Sequence, residues 1–187
     1  QSLVAEIAAN DGYLLQYFQE KKIPCFGVEP SMSVAKAAID KGLKVVTEFF
    51  GTALARKLAA EIGKVDLLIG NNVLAHVPDI RDFVSGIRDI LQGDGVATLE
   101  FPHLMRLVAE NQFDTIYHEH FSYFSWITVE RVFAKHGLTL FDVEELPTHG
   151  GSLRIYARHT EHAELPVSPA ANALRRREID DGFETLE

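Results

Sequence analysis

Through the first half of the chain, short runs of β-branched and apolar residues alternate with longer stretches whose apolar positions recur every three or four residues. Strands covered on both faces read as continuous apolar runs, and helices packed on a sheet show the helical period, so the alternation predicts βα units on a parallel sheet. Leu3–Ile7 is the first predicted strand. The first helix, Tyr13–Lys21, carries Leu14, Leu15, Tyr17 and Phe18 at helical spacings behind an Asn10-Asp11 cap candidate. Ile23–Val28 follows as the second strand, after which Glu29-Pro30-Ser31 turns the chain into a helix around Val34–Ile39, stopped by Gly42. Further strands at Leu43–Val46, Val65–Ile69 and Gly95–Glu100 alternate with helices at Thr52–Ile62 and Asp79–Leu91. Five parallel strands joined by right-handed crossovers place helices on both faces and the ligand site at the carboxyl ends of the strands.

Beyond Phe101 the rhythm changes. Residues 102–125 are rich in aromatics and histidines with neither period, a composition that predicts a functional loop. A helix over Thr128–His136 ends at Gly137, and Leu138–Leu146 and Ser152–Arg158 then read as two strands. Their short connection, Pro147-Thr148-His149-Gly150-Gly151, requires an antiparallel pair. Residues 161–187 read as a Pro-containing linker and a charged helix from about Ser168 that runs off the end. With Gln1 leading almost directly into a strand, the expectation is a piece cut from something longer.

Composition narrows the partners. A 187-residue chain fits one domain of 1–160 followed by the linker and helix. Its 18 Lys and Arg against 27 Asp and Glu form no basic stripe, which argues against nucleic acid. No apolar run has the length of a membrane span, and the single cysteine, Cys25, fits a reducing cytoplasm and supplies no thiol set for zinc.

Chemistry gathers at the predicted strand ends. The turn Glu6-Ile7-Ala8-Ala9-Asn10-Asp11-Gly12 has small residues but no G-x-G-x-x-G, which disfavours NAD and suits a cofactor without phosphates. Glu29, ending the second strand, sits where a carboxylate accepts from ribose hydroxyls. Glu48-Phe49-Phe50 offers an acceptor and an apolar wall for adenine, and Asn71-Asn72 ends the fourth strand. Taken singly, Glu6 reads equally as a turn carboxylate, and Phe49 and Phe50 as plain core. Tyr117-His118-Glu119-His120 sets titratable groups side by side among aromatics. His118-Glu119-His120 lacks the i, i+4 spacing of a helical metal site, so no metal is expected there. The aromatics Phe121, Tyr123, Phe124 and Trp126 read as packing, and His103, His136, His159 and His162 as structural or surface residues.

Glu6-Ile-Ala-Ala-Asn-Asp-Gly-Tyr-Leu-Leu15, Asn71-Asn-Val-Leu-Ala-His-Val-Pro78, Ile116-Tyr-His-Glu-His-Phe-Ser-Tyr-Phe-Ser125 and Thr148-His-Gly-Gly-Ser-Leu-Arg154 together resemble the sugar C-methyltransferase family. The resemblance implies a class I methyltransferase Rossmann-like fold with five parallel strands and a C-terminal antiparallel hairpin. It implies S-adenosylmethionine (SAM) as cofactor, held by Glu6, Asn10, Gly12, Glu29, Phe49, Phe50, Asn71 and Asn72. The acceptor it implies is a nucleotide-linked keto-deoxysugar, methylated on the carbon beside its carbonyl. By that resemblance His120 is the general base, Glu119 a supporting carboxylate or competing base, Tyr117 a substrate-orienting hydroxyl, and His76 a group polarising the keto oxygen; His149 is a weaker candidate. Family members also carry an N-terminal zinc domain and a further C-terminal domain, both expected to be absent from this sequence. Other small carbon or oxygen acceptors, or a SAM-binding module without catalysis, are the alternatives.

Overall fold

The computed structural model describes residues 2–185, so Gln1 and the expectation attached to it lie outside the described residues. Seven strands form one mixed sheet in the order β3-β2-β1-β4-β5-β7-β6. They are β1 (Val4–Ile7), β2 (Cys25–Val28), β3 (Val45–Val46), β4 (Val65–Asn71), β5 (Leu91–Pro102), β6 (Leu138–Leu146) and β7 (Ser152–His159). The first five pair in parallel, whereas β7 runs antiparallel to both β5 and β6. The chain leaves β1 toward β2 and β3 on one side, then returns to β4 and β5 on the other. That reversal opens a crevice at the carboxyl ends of β1 and β4, where sheets of this kind bind ligands.

Seven α-helices complete the fold: α1 (Leu15–Glu20), α2 (Met32–Asp40), α3 (Thr52–Glu61), α4 (Ile80–Ile90), α5 (Leu104–Ala109), α6 (Trp126–Lys135) and α7 (Pro169–Asp180). The main core joins Phe26, Leu68, Phe83, Ile87, Leu99, Trp126, Phe133 and Ile155, and a smaller one holds Ala9, Leu15, Ala38 and Leu43 beneath α1 and α2. Where sequence expectation and structure part, burial gives the reason. Helix α5 lies inside the stretch expected to be aperiodic; none of its residues is fully buried, and six positions, five of them apolar, are too few to display a one-sided period. β3 pairs through only two residues at the sheet edge, and β5 starts earlier, at Leu91, than the apolar run suggests. The last helix begins as expected, with Ser168 Oγ accepting from Ala171 N at 3.1 Å, but it ends at Asp180 and does not run off the chain. Ala171 and Leu174 pack it into the main core.

Helix α7 also supplies the most buried carboxylate. Glu178, with no exposed surface, accepts from the backbone N–H groups of Trp126 at 2.7 Å and Ile127 at 2.9 Å, capping α6. Its Oε1 lies 2.7 Å from Nε2 of buried His103, the residue that opens the 103–124 segment. That segment is closed at its base: Leu104 N donates to Phe124 O at 2.9 Å, His103 bridges Phe124, and the Phe124 ring meets Phe101 edge-on. One carboxylate thus ties three parts of the chain beneath the loop. Glu178→Ala is expected to cost about 2–4 kcal/mol, because two helix N–H groups and an imidazole lose a buried acceptor together. Urea unfolding measures it, and a loss below about 1 kcal/mol would show that the network is dispensable.

Candidate active site

The turn after β1 is unusual backbone: Ala8, Asn10 and Gly12 all have positive φ, at 57°, 50° and 74°. Gly12 is required by packing, since a Cβ there would collide with Leu43 and Ala38; the glycine faces the smaller core and lines neither site cavity. The turn is held by Glu29, whose carboxylate accepts from Asn10 N at 3.3 Å and from Ser31 N at 2.9 Å. Two backbone bonds leave carboxylate lone pairs free for further donors. Glu29, Ile7, Ala8, Phe49, Phe50, Val73 and His76 line a cavity of about 410 Å³ at the crevice. Phe50 is set by an edge-on contact with Phe83, 5.4 Å between ring centres, while Phe49 is largely exposed at the cavity mouth.

Beside it, Asn72, Ala75, His76, Pro102, Asp114, Thr115, Tyr117, His120 and His149 line a second cavity of about 350 Å³. His76 belongs to both walls, on a short 3-10 turn that follows β4. Phe121 N donates to Ala75 O at 2.9 Å, locking the aromatic loop onto that turn. His120 Nδ1 is 3.0 Å from the Thr115 carbonyl, which can only accept; Nδ1 therefore carries a proton, and the tautomer this selects is the one whose lone pair is on Nε2. The Tyr117 hydroxyl, 3.0 Å away, donates to that Nε2. The His76 and His120 rings lie edge to face at 4.8 Å, and Tyr123 stands edge-on at 5.7 Å from His120.

The four residues expected to do chemistry thus divide. His120, Tyr117 and His76 converge on one cavity, but Glu119, like His118, is exposed and lines neither cavity. On the cofactor side, Glu29, Phe49 and Phe50 surround the first cavity. Asn72 instead lines the second one, with its Oδ1 buried and unpartnered, and Asn71 lines neither. Asn10 contributes its backbone N–H to Glu29. Glu6, 2% exposed, lies beneath the turn with Oε2 unpartnered. Sequence reasoning did not single out Glu100 at the end of β5, although its place opposite Arg154 in an antiparallel pair was the available signal. Thr115 was missed too; it acts through its carbonyl, which residue identity does not display. Among the described residues, no three His, Cys, Asp or Glu side chains converge to hold a metal ion.

A parallel sheet that reverses between β1 and β4, an antiparallel β7 inserted before the edge, and a carboxylate-and-phenylalanine cavity at the reversal define the class I methyltransferase fold. The chain belongs to the methyltransferase domain family, which it matches over residues 4–143. It is 35% identical over 181 residues to the C-methyltransferase NovU of Streptomyces niveus, covering 97% of this chain and 43% of that protein. The magnesium protoporphyrin IX methyltransferase of Synechocystis, solved with bound SAH, shares the fold at a TM-score of 0.64 and 16% identity, over 83% of this chain and 73% of that one. A SAM-dependent methyltransferase from Clostridium acetobutylicum does so at 0.64 and 11% identity, over 84% and 83%. The donor set fits SAM: Glu29 has free lone pairs, Phe49 and Phe50 offer ring faces, and Glu6 has an orphaned oxygen beneath the turn.

Burial, helped by the nearby Asp11 charge, pushes the Glu6 carboxyl up from 4.5 to about 8. Between those values the folded protein keeps a proton that the unfolded chain releases. Stability is therefore fully present below pH 4.5 and is lost as pH climbs toward 8. Glu6→Gln is expected to flatten that decline, raising Tm at pH 8 relative to the parent and leaving it unchanged at pH 4. Melting curves from pH 4 to 9 test this, and parallel curves for the two proteins would overturn it.

Proposed function

We propose that this domain methylates a small acceptor on carbon, and that the acceptor is a nucleotide-linked keto-deoxysugar activated beside its carbonyl. What carries the reading is the tautomer of His120: a ring whose Nδ1 is committed to the Thr115 carbonyl turns its Nε2 lone pair, bonded at rest to the Tyr117 hydroxyl, into a cavity that shares His76 with the cofactor crevice. Similarity to a C-methyltransferase along nearly the whole chain supports the same choice.

Carbon methylation beside a ketone needs a base for a weakly acidic proton, hydrogen-bond donors for the enolate oxygen, and a carbon held facing the methyl donor. Bound SAM supplies an electrophilic methyl group. His120 Nε2 takes the proton from the acceptor carbon, and the imidazolium so formed is stabilised by its Nδ1–H bond to Thr115. Tyr117 gives up its resting bond to Nε2 as the acceptor enters, freeing its hydroxyl for an acceptor oxygen. His76 stands between donor and acceptor cavities, suited to polarise the keto oxygen. Glu119, exposed and outside both cavities, is badly placed to take that proton. Glu29 would hold the cofactor ribose, and the ring of Phe50 would bound its adenine.

Deuterium exchange at the carbon beside the ketone isolates the proton step from methyl transfer. His120→Asn is expected to lower exchange and turnover about 100-fold or more while SAM affinity, measured by calorimetry, stays within about threefold of the parent. Glu119→Gln is expected to lower turnover less than tenfold. Exchange retained without His120, or abolished without Glu119, would transfer the role of base to the carboxylate.

A further inference from the structure

The β6–β7 connection enters the second cavity with more restraint than a surface turn requires. His149 lines that cavity with His76, Tyr117 and His120, and it does so in the left-handed region, at φ 52° and ψ 37°. Such backbone persists in a non-glycine residue where its surroundings over-determine it. Here they do. The Thr148 hydroxyl donates to Glu100 Oε1 at 2.9 Å, and the Thr148 carbonyl accepts from Gly151 N at 2.9 Å and Ser152 Oγ at 3.1 Å. The Gln112 side chain donates to Gly150 O at 2.7 Å, and His103 N donates to Gly151 O at 3.0 Å.

The anchor of this set is Glu100, a carboxylate only 5% exposed at the carboxyl end of β5. Its Oε2 accepts from Arg154 across the antiparallel pair at 2.9 Å, which leaves Oε1 for Thr148. Burial works against the Arg154 charge, but the Glu100 hydrogen bond and charge, joined by Tyr156 and Glu144, outweigh it and raise the guanidinium pKa above its ordinary value. The same residue reaches the opposite wall through its backbone: Glu100 O accepts from Asn72 N at 2.8 Å, and Asn72, itself at φ 53°, lines the cavity too. One residue therefore sets the spacing between two walls that come from distant parts of the chain.

We infer that His149 contacts an oxygen of the acceptor through its imidazole, and that Glu100 is its positioning residue, acting through Thr148. The acceptor half of the inference rests on the function proposed above, whereas the brace itself does not. A hydrogen bond from an imidazole carried on braced backbone helps to orient a hydroxyl or keto oxygen for the base, so its loss weakens acceptor use and spares the cofactor.

Thr148→Val removes the hydroxyl at constant shape, and Thr148→Ser restores it. With 15N-labelled histidine, the His149 imidazole resonances are identified by their absence in His149→Ala. They are expected to shift in Thr148→Val and to return in Thr148→Ser, with Tm unchanged within a few degrees. Unshifted His149 resonances in Thr148→Val would overturn the brace, whether or not the enzyme turns over any keto sugar. With a nucleotide-linked keto-deoxysugar as acceptor, Thr148→Val and His149→Ala are each expected to raise the acceptor KM about tenfold with SAM affinity unchanged. The double variant is expected to be no worse than His149→Ala alone. Additive losses would mean that Thr148 does not act through His149, and SAM affinity falling in step with acceptor use would mark a merely structural role; either result overturns the inference. Exchange at the acceptor carbon that survives His120→Asn while these variants behave as expected would sink the proposed base and leave the brace standing.

Discussion

Strand β7 forms its hydrogen bonds to β5 in a register that sets Glu100 opposite Arg154 and Pro102 opposite Ser152, and the acceptor side of the molecule depends on that register. Because β7 lies antiparallel between β5 and β6, the connection leaving β6 arrives at the same sheet edge as the carboxyl ends of β4 and β5. A parallel β7 would need a long crossover and would deliver its turn to the opposite edge. Slipping the pair by one residue would turn Arg154 to the other face, leaving a buried carboxylate without its cation. The 148–151 turn would lose its anchor as well.

The two cavities differ in how they are made. The cofactor crevice is a property of the sheet: β1 and β4 pair side by side, but the chain leaves β1 toward β2 and β4 toward β5 on the other side, and side chains from successive strand ends surround the gap. The second cavity is assembled from loops, each tied back to the frame by a few polar contacts. The aromatic loop is pinned at Ala75 and Phe124, the β6–β7 turn at Glu100, and the start of α6 at Glu178. His76 is the only named chemical group common to both linings, which makes the β4 exit the seam between methyl donor and acceptor. Loop-built pockets on a rigid sheet let acceptors vary while the cofactor end stays constant.

Buried carboxylates do three separate jobs here, decided by their partners. Glu178 meets two helix N–H groups and an imidazole, Glu100 meets a guanidinium and a hydroxyl, and both serve as braces. Glu29 meets only two backbone N–H groups and borders open space, so it can still receive a ligand. Glu6 has neither cation nor donor on Oε2, and burial consequently favours its neutral form. The same side chain becomes anchor, receptor or proton reservoir according to the donors around it.

Most of the sheet was legible because buried parallel strands must be apolar throughout and their covering helices must show one apolar face. The antiparallel hairpin was legible from the shortness of residues 147–151, and the histidine-bearing block from its departure from either period. Helix α5 was not legible, since six mostly apolar residues are too few to display a period, nor was the termination of α7 at Asp180. Within the site, residue types identified His120, Tyr117, His76, Glu29, Phe49 and Phe50 as candidates. Tertiary structure alone decided that Glu119 faces solvent, that Asn72 belongs to the second cavity, and that a backbone carbonyl at Thr115 sets the proton on His120. The physical reason is range: periodicity and turn chemistry act over a few neighbours, whereas a tautomer, a brace or a shared cavity wall depends on groups that meet only once the strands are in register.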